Sequence, residues 1–124
     1  MNLYVFIAGI LGVFTTIGHF IMGSKQFLRP ILESQIDQIP KKVMHSVFHY
    51  ISVYLITSSF ILLLIGYGIN IGESELLIKF IAVNYAGFGI WQIAIALTSG
   101  IKNSLTKLFQ WTFFILIAIL CFLG

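Results

Sequence analysis

The chain has 124 residues, of which 59 % are hydrophobic and only 9 % charged, and its net charge is +3. A water-soluble domain is excluded, because a fold this small leaves much of its surface in water and cannot hide so much apolar side chain. A nucleic-acid module is excluded too, since the basic residues form no long cationic tract.

The length allows one domain, spanning residues 1–124. The first apolar run, Leu3–Gly23, reaches the roughly 20 residues that a helix needs to cross a bilayer. It has no basic n-region and no small-x-small cleavage site, so it reads as a spanning helix and not a signal peptide. Ser24–Lys42 follows as a polar connection. In it Lys25, Arg29, Glu33 and Asp37 recur at four-residue steps among Phe27, Leu28, Ile31, Leu32, Ile36 and Ile39. This spacing predicts a short amphipathic helix on the membrane surface, with Arg29, Glu33 and Asp37 on its solvated face and Arg29–Glu33 as an i,i+4 pair. Pro30 suits its first turn, and Pro40 is expected to break it before the next span.

Three further apolar runs follow, Met44–Gly68, Leu76–Thr98 and Leu108–Leu123. In lipid such runs can only be helices, because no water is present to satisfy an open backbone. The predicted fold is therefore an all-α integral membrane protein, a four-transmembrane-helix bundle with a short amphipathic surface helix between helices 1 and 2. Cys121, the lone cysteine, excludes an intrachain disulfide and a multi-cysteine metal site, and reads as a small packing residue in the last run.

Charge orients the bundle. Six of the seven basic residues lie in the first and third connections, and Lys79 sits just inside the third span, from which it can snorkel outward. The positive-inside rule puts those two connections in the cytoplasm and both termini outside, in a bacterial cytoplasmic (inner) membrane.

The polar residues of the spans fall at one depth. Counting about 1.5 Å per residue, His19, His45, His49, Gln92 and Gln110 share a layer roughly 5–10 Å below the cytoplasmic interface, with Asn84 deeper. Ala8, Gly12, Thr15 and His19 share a face of the first helix. His45, His49, Ser52 and Ser59 share one of the second, and Asn84, Phe88, Trp91 and Gln92 one of the third. A polar pocket lined by Thr15, Ser52, Asn84, Trp91, Gln92 and Gln110 is expected beside the three histidines. A faint repeat sets "VFHYISVYLI" against "LFQWTFFILI", so that His49 corresponds to Gln110 and, with a one-residue slip, His19 to Gln92.

Several functions suit this layer. Polar groups can simply hold helices together, in a small accessory or scaffolding membrane subunit whose partners are the lipid bilayer and further copies or a larger complex. Alternatively, His19 with either His45 or His49 could ligate a b-type haem, or all three a divalent metal. A third reading is proton-coupled transport, since histidine titrates near neutrality, although no Asp, Glu or Arg lies deep in a span. No catalytic set is legible, and the expectation leans away from an enzyme.

Overall fold

Asn2 sets the start of the first helix. Its Oδ1 accepts from the Val5 N–H at 3.2 Å, as an N-cap residue does. In the computed structural model, which describes all of residues 1–124, everything that follows is helix or short connection, with no strand.

Helix α1 covers Leu3–Gly18. A π-helical stretch, His19–Leu28, continues it into α2, Arg29–Glu33. The three form one unbroken rod of 31 residues. This corrects the expectation of a separate surface helix, because the polar stretch is the far end of the first rod. Pro30 has no N–H to return to Gln26. The wider turn before it, in which the Arg29 N–H donates to the Ser24 carbonyl, carries the backbone past. The rod stops at Ser34, whose hydroxyl donates to the Ile31 carbonyl at 2.6 Å. Arg29 and Glu33 do pair, at 3.3 Å, but Asp37 lies outside the rod and precedes the next helix.

Helix α3 runs for 30 residues, Gln38–Tyr67. Pro40 does not precede this helix as expected but lies in its first turn, where its missing N–H would have had no partner anyway. Lys41 reaches back from that turn, its Nζ donating to the Ser34 carbonyl at 2.8 Å, and is buried in doing so. Gly68, at φ 108°, ends α3. Its N–H donates to the Ile65 carbonyl and the Ile69 N–H to that of Leu64.

Helix α4 spans Ser74–Thr98, and Lys79 on its second turn pairs with Glu75. A four-residue helix α5, Ser104–Lys107, and then α6, Trp111–Leu123, complete the chain. Three rods, Leu3–Glu33, α3 and α4, are long and apolar enough to cross a membrane. The fourth apolar helix, α6, is shorter than the run from Leu108 suggests. At 13 residues it covers about 20 Å, against roughly 30 Å for a hydrocarbon core. The left-handed Asn103 and the turn at 108–110 delay its start.

The helices pack as two hairpins. In the first, Gly9 and Gly12 of α1 and Gly66 of α3 let the backbones touch. A Cβ on Gly9 would lie 2.8 Å from the Leu63 nitrogen, and one on Gly66 would meet the backbone of Phe6. In the second, α4 lies against α6, with Ile115 filling the space over Gly89. Contacts of α1 with α6 join the hairpins, while α3 and α4 meet through side chains. Ser58 Oγ and Tyr85 OH are 2.9 Å apart, and the Tyr54 and Tyr85 rings 5.7 Å. Cys121 is buried in the core that results, beside Ile117 and Ala118.

Asn2 ties one end of this assembly together. Its N–H donates to the Gly66 carbonyl at 2.8 Å and its Nδ2 to the Gly124 carbonyl at 2.7 Å. Both termini and the α3–α4 connection therefore share one end. The opposite end carries the 34–37 and 99–110 connections and six of the basic residues.

Candidate functional site

His19 stands where α1 widens into the π-helical stretch, on the side of the rod that faces α3. Its ring stacks on Phe48, with centroids 4.0 Å apart and planes 18° from parallel. Nε2 lies 2.8 Å from Ser52 Oγ and 3.2 Å from the Phe48 carbonyl. The Ser52 hydroxyl donates to that same carbonyl at 3.0 Å. A carbonyl oxygen only accepts, so the tautomer that suits both contacts carries its proton on Nε2 and leaves Nδ1 as a bare acceptor.

The corresponding position of the second hairpin holds an amide pair. Gln92 Nε2 on α4 donates to Gln110 Oε1, just before α6, at 2.8 Å. Gln92 Oε1 is buried without a partner. Gln110 Nε2 makes no hydrogen bond within the chain and is not buried.

Between these two polar pairs runs a cleft of about 560 Å³. Thr15, Gly18, His19, Gly23 and Gln26 of the first rod form one wall, and Gln110 lies across from them. Six phenylalanines make up most of the remaining lining: Phe14, Phe27, Phe48, Phe109, Phe113 and Phe114. The Thr15 hydroxyl is occupied, donating to the Leu11 carbonyl at 2.8 Å. No Lys, Arg, Asp or Glu lines the space.

The expected site residues divide accordingly. Thr15, His19 and Gln110 line the cleft, and Ser52 and Gln92 hold two of them from behind. Asn84 and Trp91 do not belong to it. Asn84 Nδ2 donates to the Phe80 carbonyl of its own helix, and Trp91 is 71 % exposed on the outer face of α4.

His45 and His49 stay together, with ring centroids 5.1 Å apart, but outside the cleft; His49 is exposed and His45 half-buried. No three His, Cys, Asp or Glu side chains converge anywhere in the chain. The three-histidine ion site is therefore not formed, and no second imidazole faces His19 across a space that a porphyrin could fill.

The aromatic lining is what sequence reasoning missed. Its signal was present as "LFQWTFF" at the head of α6, where Phe109, Phe113 and Phe114 recur at helical spacing around Gln110.

Fold and site together define an all-helical chain, apolar enough in three helices to cross a membrane, with an uncharged aromatic cleft bounded by two polar pairs. Comparison with protein-family models, with curated proteins and with solved structures gives no match.

Proposed function

We propose that this chain is a four-span protein of a bacterial cytoplasmic membrane, with both termini outside, that serves as a small non-catalytic accessory or scaffolding subunit. The observation that carries this reading is the pairing of the interhelical polar groups. His19 with Ser52, Gln92 with Gln110 and Ser58 with Tyr85 join helices to one another and do not converge on a metal or a reacting centre. Hydrogen bonds of this kind hold helices together where lipid offers no hydrophobic drive.

The remaining surface suits acyl chains. Tyr50, Phe60, Phe80, Ile90 and Phe122 all point outward. In this reading α6 and the turn before it make the fourth span, at the modest cost of a locally thinned bilayer. Basic residues gathered at one end favour that end as cytoplasmic.

The reading is tested in two parts. A cytoplasm-active reporter fused after Gly124 should be silent and a periplasm-active one bright; the reverse pattern overturns the orientation. Reconstituted protein should pass no protons across liposomes, and a flux that disappears in His19→Ala would replace the scaffolding role with transport.

A further inference from the structure

The geometry points to the His19–Gln110 cleft as a binding site for an uncharged, membrane-soluble ring bearing two hydroxyl groups, of the hydroquinone type. The inference rests on the membrane reading above and goes beyond it, since a scaffold needs no ligand.

Four observations select this chemistry. The volume, about 560 Å³, falls within the range of small-molecule sites and holds a substituted ring with part of a tail. Six phenylalanine side chains line it, and aromatic rings favour flat ring partners through edge and offset-face contacts. No charged side chain faces the space, so an anionic lipid head or a fatty-acid carboxylate would enter without a counter-charge.

The fourth observation is the pair of free polar atoms. His19 keeps Nδ1 as an acceptor, because Nε2 is engaged by Ser52 and Phe48. That nitrogen lies 3.7 Å from where a Cβ on Gly23 would stand, and both residues line the cleft. Gln110 keeps Nε2 as a donor, because Oε1 is held by Gln92. His19 on the first rod and Gln110 just before α6 border the same space, so these two residues offer it one acceptor and one donor, to which Gln26 adds a side-chain amide. A hydroquinone satisfies both, one hydroxyl donating to His19 Nδ1 and the other accepting from Gln110 Nε2. The oxidised quinone, with carbonyls only, would set an oxygen lone pair against Nδ1.

Gly18 supplies the means of testing this. It lines the cleft, and a Cβ placed there would meet no atom within 4 Å. A leucine at this position would start from open space on the cleft wall and improve helix propensity, and its longer side chain would occlude the site.

The experiment is calorimetric titration of the purified full chain in nanodiscs with a short-tailed hydroquinone kept reduced, with empty nanodiscs subtracted. Its quinone, naphthalene and decanol are titrated in parallel. The expected result is saturable binding of the hydroquinone, weakened roughly tenfold or more for the quinone and in Gln110→Leu, and lost in Gly18→Leu. Circular dichroism and thermal unfolding establish that both variants are folded. Undiminished binding by Gly18→Leu, equal binding of naphthalene or decanol, or no saturable heat would each overturn the proposal. Carbonate extraction of membranes tests the membrane reading separately, so that the two can fail independently.

Discussion

Gln92 and Gln110 join α4 to the start of α6 through one hydrogen bond of 2.8 Å, and the bond uses the two amides unequally. Gln92 keeps a buried oxygen with no partner, whereas Gln110 keeps a nitrogen that is not buried. Removing one partner of a buried bond costs more when the survivor is stranded. Gln110→Leu strands both polar atoms of Gln92 and should cost about 1–2 kcal/mol, while Gln92→Leu also removes an orphan and should cost less. The double variant should be more stable than the sum of the singles predicts, as reversible unfolding in detergent would show.

The glycines of the first hairpin predict opposite signs at two positions on facing helices. Gly66→Ala drives a methyl into the backbone of Phe6, which cannot swing away, and should cost about 1–3 kcal/mol. Gly18→Ala meets nothing within 4 Å and should stabilise by about 0.5–1 kcal/mol through helix propensity alone. Thermal midpoints of the two variants, measured in one detergent, check both.

The three histidines should behave as one structural residue and two bystanders. His19→Ala removes the stack on Phe48 and the bond to Ser52 and should cost about 2 kcal/mol. His49→Ala, at an exposed position, should stay within about 0.5 kcal/mol of the parent, and the half-buried His45, which makes no hydrogen bond to another helix, should cost less than His19 when replaced by alanine. Elemental analysis of the purified protein should find no stoichiometric metal; one ion per chain that disappears in His45→Ala or His49→Ala would refute this assignment.

Lys41 crosses from one rod to the next to bind the Ser34 carbonyl, placing a positive charge where the first rod's dipole is negative. Lys41→Met should cost about 1–2 kcal/mol and loosen the 34–37 connection, which proteolysis would detect. Lys42→Met, exposed beside it, serves as the control and should change neither.

The long helices were legible because an apolar run of that length would leave a backbone in lipid no alternative to helix, but their ends were not: the first rod runs on to Glu33, α3 begins at Gln38 and α6 only at Trp111. His19, Gln92 and Gln110 were legible as members of one layer because a constant rise per residue places them at one depth, but that layer also held His45 and His49, and Ser52 was legible only as sharing their face. Rotation about the helix axis was not legible. Contacts at Gly12 and Gly66 turn Ser52, Ser59 and Leu62 of α3 inward, so that Phe48 takes the next inward position. His49, about 100° further round, is thereby carried outside. The four-residue steps from Lys25 onward were a true signal read in the wrong frame. Lys25, Arg29 and Glu33 belong to the far end of the first rod, Lys25 within its wide-turned stretch, and Asp37 precedes the next helix.

The π-helical stretch is also a ruler. A helix that turns more slowly shows the same side to its neighbour for longer, and from Gly18 through Gly23 to Phe27 that side is the cleft wall. The reach of the cavity beyond His19 is thus set by how many residues stay wide, not by any one side chain.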